Sequence, residues 1–302
     1  MAQISFNEMA EKKADFEVFL RVERKMKENT ISAYLRDIDN FFCFCLKNGF
    51  SDEEKLKEGF EEFTDSLKKE GKSPSTVSRN IASVRKFFRY LKDLDFIGKN
   101  PTKGMAYEKK TAESEDTEIL STDEIDRLID SVKSESIKGY RDEAILETLY
   151  ACGLKASELI NLKISDISLS GGYIYIDSAP KRYIPLYKGA IKAIKIYIAK
   201  GRKYLTSDKK NDILFLNKDG QPLTRQGLWK MLKAFGKKAK IAKEITPHLI
   251  RKSMAMHLLE NGADIYDVQA ILGHKNINLT KSYLKNFHPS VMRAYEKAHP
   301  KA

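Results

Sequence analysis

Apolar positions in the first hundred residues recur at three- and four-residue intervals, the period of a helix with one buried face. The stretch FNEMAEKKADFEVFLRVERK (6–25) carries this period and predicts a first helix. A second, capped by Thr30, runs through Phe41, Phe42, Phe44 and Leu46 and stops at Asn48-Gly49. Ser51-Asp-Glu-Glu54 reads as a capping box that opens a third helix, ending at Gly71. The fourth follows Ser73-Pro74 and sets Val77, Ile81, Val84, Phe88 and Leu91 on one stripe. Its opposite face carries Ser75, Arg79, Ala82, Ser83, Lys86 and Arg89. Small residues between cations let a helix press against a phosphate backbone or enter a groove. The same pattern also fits an ordinary solvated basic face.

After Asn100-Pro101 the pattern lapses. Residues 108–118 (EKKTAESEDTE) are polar and aperiodic, which predicts a linker between domains at 1–107 and 119–302. Ser121-Thr-Asp-Glu124 is a second capping signal, followed by expected helices at 122–133 and 139–152. Alternation then switches to a period of two at Tyr173–Ile176 and Arg182–Leu186, across a turn at Asp177-Ser-Ala-Pro180. Helix is expected again over about 188–204, from Thr224 and from Thr246-Pro247, with a short strand at Ile213–Leu216. Gly262 and Gly273 punctuate the last helices as C-terminal caps.

Length and composition narrow the class. The chain has 302 residues, a length typical of two domains; 42% are hydrophobic, enough for packed cores. Its net charge of +12 favours an anionic partner, nucleic acid first. Three cysteines, Cys43, Cys45 and Cys152, sit in apolar helical stretches without metal-ligand spacing and read as buried thiols. No apolar run approaches a membrane span and MAQISFNEMAEKK lacks the apolar core of a leader, so a cytoplasmic protein without membrane attachment is expected.

The chemistry concentrates between Thr246 and Tyr283. His248 and Arg251 lie three apart on one helix face, and Tyr283 follows His274 by nine. An arginine, two imidazoles and a phenol without a metal-ligand cluster point to attack on a phosphodiester. Taken singly, each has a plainer reading: a surface polar pair, a helix cap, one of 14 tyrosines.

The chain resembles the tyrosine recombinase (phage-integrase) family, most closely its Xer-type site-specific members. His248-Leu-Ile-Arg251 matches the family's H-x-x-R, Leu272-Gly273-His274 its L-G-H, and Tyr283 its nucleophile position. The resemblance implies two mainly α domains: an N-terminal helical, SAM-like core-binding domain, then an α+β catalytic domain with a small β-sheet and a tail helix. It implies cleavage and rejoining of double-stranded DNA through a 3′-phosphotyrosyl link, without ATP, metal or other cofactor. Tyr283 would attack phosphorus, Arg251 and His274 would hold its oxygens, and His248 would hydrogen-bond the phosphate or exchange a proton with Tyr283. Glu158, in the family's S-E-L, would orient its basic neighbours. Ser75, Arg79, Lys86 and Arg89 become candidate DNA contacts. The tail at His288–Ala298 would dock on a neighbour in a tetramer on two DNA sites, formed with copies of itself or a related recombinase.

Two departures stand out. Lys155, in Tyr150-Ala-Cys-Gly-Leu-Lys155, occupies a position where the family has arginine. A point charge there replaces a planar fork. The hairpin turn is also short, and alignment from Ile184-Pro-Leu186 leaves no lysine at the family's leaving-group position. Lys181 is the nearest candidate and equally fits a solvated turn. Both departures keep a second reading open, that of a weakened or non-catalytic accessory DNA-binding protein. A type IB topoisomerase shares the chemistry but not the two-domain layout.

Overall fold

The computed structural model describes residues 6–50, 53–104, 118–206 and 211–274. The chain divides into two compact units, Met1–Glu115 and Asp116–Ala302. Most of the expected linker at 108–118 lies outside the described residues.

The first unit holds four helices: α1 (Phe6–Val22), α2 (Glu28–Asn48), α3 (Leu56–Lys69) and α4 (Pro74–Asp93). Ser73 accepts from the Thr76 N–H, and Pro74 occupies the first turn, where its missing donor costs nothing. The predicted stripe of α4 is buried throughout, and α2 and α4 pack most extensively. Their core is aromatic: Phe41 meets Phe60, Phe63 and Phe88 edge-on, and Phe87 meets Phe16 and Phe42 in the same way. Such pairs add about 0.5–1.5 kcal/mol each beyond the area they bury.

Three expectations change here. The second helix begins at Glu28 with Lys27 as its cap, so Thr30 lies in its first turn. The capping box at Ser51 falls outside the described residues, and α3 starts only at Leu56 after a tight turn over Glu53–Lys55. Cys43 is exposed, while Cys45 and Cys152 are buried as expected.

The second unit comprises α5 (Thr122–Asp130), α6 (Ile137–Cys152), α7 (Ala156–Ile160), three strands and then α8 (Lys188–Ile196), α9 (Arg225–Lys238), α10 (Pro247–Glu260) and α11 (Ile265–Leu272). The strands are β1 (Ile167–Ser168), β2 (Tyr173–Ile176) and β3 (Arg182–Pro185), an antiparallel sheet in sequence order. Register pairs Ile174 with Ile184 and Ile176 with Arg182, so these four share the inward face. Helix α6 runs through the centre of this unit. Its Ile145, Leu146 and Leu149 meet the sheet's Ile174 and Ile184 and the buried side of α8 in one core. A smaller satellite core of Met254, Ala255, Met256, Leu259, Val268 and Leu272 joins α10 to α11.

The expected strand at Ile213–Leu216 does not form; only isolated bridges, Lys163 to Ile213 and Leu216 to Pro222, occur there. Leu214, Phe215 and Leu216 are fully buried, and that need accounts for their apolar run. Among the described residues no helix is long and apolar enough to cross a membrane.

Candidate active site

Two helix C-termini make the cradle of the site. Helices α6 and α11 each end on a glycine in the left-handed region, Gly153 at φ 54° and Gly273 at φ 65°. A side chain there would cost about 1–2 kcal/mol in backbone strain, which favours glycine at both turns. The carbonyls beside these caps point at one place, and the Arg251 guanidinium fills it. Its Nη1 donates to Gly153 O and its Nη2 to Leu272 O, each at 2.6 Å. The negative ends of two helices thus fix one cation. Arg251 is placed by α10, whose start is set by Thr246 capping the Leu249 N–H and by Pro247.

The residues after each glycine are brought to the same point. Lys155 opens α7, and His274 follows Gly273 directly. Glu158, one turn into α7, is buried and fully engaged. Its Oε2 accepts from the Lys155 N–H and from Arg182 Nη2, both at 2.9 Å, and its Oε1 from Ser178 Oγ at 3.0 Å. The Lys155 ammonium stands 3.9 Å from Oε1 with its side chain 47% exposed, so it is steered rather than sequestered. Burial alone would raise the Glu158 carboxyl. The Lys155 N–H and then Arg182 outweigh burial and hold it below the usual carboxylate range.

Both imidazoles are shifted toward the neutral form. Burial first, then Arg251, Lys155, Arg182 and His248, push His274 down to about 4. His248, on the exposed side of α10, is also lowered, by desolvation and then by Arg251 and Lys252. Three cations and two neutral rings with both donor and acceptor capacity are suited to an anion on which protons are exchanged. Among the described residues no group of His, Cys, Asp or Glu is arranged to hold a metal ion.

The pattern of charges in the sequence missed Arg182. This residue is 8% exposed; its Nε donates to Ile271 O at 2.8 Å and its Nη2 to Glu158. It therefore ties β3 to α7 and to the last turn of α11. A Cβ on Gly273 would stand 3.0 Å from Arg182 Nη1, so the cap glycine also makes room for this guanidinium. The available signal was a cation on the inward face of a strand otherwise filled by isoleucine.

Other candidate residues fall differently. Lys181, next to Arg182, points outward and pairs with Asp177 of its own turn at 2.7 Å. Tyr283 and the tail at 288–298 lie outside the described residues. On α4, Ser75, Arg79 and Arg89 are exposed and Lys86 is partly buried. Ser83 does not belong to that face: it is fully buried and donates to Asp37 at 2.8 Å. Arg79 Nη2 reaches the other oxygen of the same buried carboxylate at 3.0 Å.

Comparison with known proteins gives the same partition. Residues 118–288 match the phage integrase family, and residues 14–94 match the phage integrase N-terminal SAM-like domain. The chain belongs to the phage integrase family of tyrosine recombinases, and to its Xer type. It is 40% identical to tyrosine recombinase XerD of Listeria innocua over 296 residues, covering 95% of this chain and 98% of the relative. XerD of Staphylococcus haemolyticus is 34% identical over 290 residues, covering 94% and 97%. Among solved structures, XerA recombinase aligns at a TM-score of 0.53 and 28% identity over 95% of this chain and 96% of that one. XerH bound to palindromic difH substrate aligns at 0.75 and 20% identity over 94% and 83%, a likeness of fold. An Xer-type tyrosine recombinase is an enzyme of site-specific DNA recombination, and the accessory-protein reading is not favoured.

Proposed function

We propose that Lys155, His248, Arg251 and His274 surround one scissile phosphate of duplex DNA while Tyr283 attacks it. The Tyr283 Oη–P bond forms as the bond from phosphorus to the 5′-oxygen breaks, leaving a 3′-phosphotyrosyl link and a 5′-hydroxyl. Another 5′-hydroxyl reverses the step on the partner strand. Arg251 and Lys155 balance the charge of the pentavalent state, where each such contact contributes about 2–4 kcal/mol. His248 takes the phenol proton, and His274 donates to a phosphate oxygen. Glu158 and Arg182 act through these residues as positioning groups. The leaving 5′-oxygen would take its proton from Lys181, the nearest hairpin lysine, once that ammonium is released from Asp177.

One observation carries this reading. Arg251, held between Gly153 O and Leu272 O, draws the H-x-x-R, G-L-K and L-G-H segments to a single point. Relatives solved with DNA, XerH among them, support double-stranded DNA as the partner. The working assembly on this reading is a tetramer on two sites, measurable as the mass of the protein–DNA complex.

A nicked duplex bearing the target site, drawn from a DNA library by binding, tests the chemistry. A covalent protein–DNA band on a denaturing gel is expected, lost in Tyr283→Phe and reduced about 10²–10³-fold in Arg251→Ala. Persistence of the band in Tyr283→Phe would overturn the assignment of the nucleophile.

A further inference from the structure

Arg251 belongs to a row. Along α10 it is followed at intervals of three by Met254 and His257, which continue one ridge of the helix surface. The facing positions on α6, Tyr150 and its cap Gly153, are also three apart. Gly153 takes the Arg251 guanidinium on its carbonyl and lies close under Met254, since a Cβ there would stand 2.2 Å from Met254 Cε. One turn earlier on α6, the Tyr150 hydroxyl meets His257 Nδ1 at 2.9 Å, and the two rings stand edge to face at 5.9 Å. The two helices therefore run in opposite directions along this seam.

Apolar contact such as that of Met254 resists separation of two helices but is non-directional, so it resists sliding poorly. A hydrogen bond weakens steeply off its axis, and the one between Tyr150 and His257 fixes the register of the two ridges. His257 is itself held. It is 7% exposed, and a backbone hydrogen bond at Leu120 raises its pKa against burial, as a carbonyl acceptor does. With a ring N–H given there, Nδ1 accepts from the Tyr150 hydroxyl. Leu120 is fixed in turn: its N–H donates to Ser253 Oγ of α10 at 2.8 Å, and Lys243 Nζ donates to the neighbouring Ile119 O at 2.8 Å. Tyr150 stands where the main core and the satellite core meet.

We infer that Tyr150 and His257 are positioning residues for DNA cleavage: their bond locks α10 against α6 in the register that presents Arg251 to the scissile phosphate. The inference rests on Arg251 holding that phosphate. Both residues act through the guanidinium rather than on DNA. A slide of α10 would carry Arg251 off the Gly153 carbonyl, and with it the charge that balances the pentavalent state.

The test measures covalent trapping by full-chain variants on the nicked target duplex at saturating protein, below the melting range of each, beside DNA affinity and melting midpoint. Tyr150→Phe removes one oxygen and keeps the ring. It is expected to slow trapping about 10–100-fold, as a misplaced catalytic group does, with affinity for the duplex preserved. His257→Leu slows it likewise, and His257→Asn, which restores an acceptor near the Nδ1 position, recovers part of the rate. In an Arg251→Ala background Tyr150→Phe causes no further slowing, because the group it positions is gone. An unchanged rate in Tyr150→Phe overturns the lock. So does a loss that tracks the melting midpoint, or one that persists in full beside Arg251→Ala. Each of these leaves the function standing. A wild-type chain without a covalent band, or Arg251→Ala trapping at the wild-type rate, overturns the function and the lock together.

Discussion

At Lys155 the chain carries an ammonium beside Glu158 where its family has a guanidinium. Arginine there would offer two parallel donors to a phosphate instead of one point charge. Lys155→Arg is expected to accelerate covalent trapping, by up to about 10²–10³-fold if a full transition-state contact is restored. An equal or slower rate would show a site rebuilt around lysine. Arg79 behaves differently from what its exposed position implies, because it serves a carboxylate that is 1% exposed. Removing it leaves Asp37 with the Ser83 hydrogen bond and the nearby charge of Arg36, so Arg79→Ala is expected to cost the first unit about 1–3 kcal/mol, seen as a lower melting midpoint. Any loss of DNA affinity in that variant must be read after this loss of fold. His248, Arg251 and His274 were legible in the sequence because their motifs are short and local. Arg182 was not, because its partners lie 24 and 89 positions away and only the folded sheet brings them together.

The helices were legible as elements wherever a cap and a stripe agreed, as at Ser73-Pro74 and Thr246-Pro247. They failed at Thr30, where a good capping residue lies inside a helix begun two residues earlier. The run at 213–216 failed for a different reason: a fully buried apolar segment looks like a strand whether or not it pairs. The hairpin has a stricter role than its length implies. Inward positions on β3 alternate Arg182, Ile184, so a one-residue slip would turn the guanidinium to solvent and break the tie between α7 and α11. Arg182→Lys is expected to keep part of the cleavage rate and Arg182→Ala to lose it, with DNA affinity preserved in both. A parallel fall in affinity and melting midpoint would mean the residue only holds the fold. Gly273→Ala is a finer probe: strain of about 1–2 kcal/mol from the left-handed backbone falls beside the guanidinium and His274. Slower trapping with unaltered DNA binding is expected.

For the molecule as a whole, composition and charge gave the partner class, while the division into two units came from a lapse of periodicity near Asn100-Pro101. The second unit carries an acid sensitivity that no pattern in the chain announces. His248, His257 and His274 are all lowered from the ordinary histidine value, each with burial as the largest cause. Below about 6.5 the unfolded chain takes up protons that these rings refuse, so stability falls with pH. For His274 the fall runs down to about 4. Melting midpoints of the DNA-free protein are expected to be flat above neutrality and to drop through that window; His274→Gln should shallow the drop. Helix α11, meanwhile, rests on the satellite core, and half of the Arg251 cradle depends on its last turn. Small, separately packed patches open before large ones. A copy of this protein that has begun to come apart therefore loses its grip on Arg251 while its main core is still intact. For an enzyme that cleaves and rejoins DNA, copies that open in this order are expected to stop cleaving before the rest of the unit unfolds.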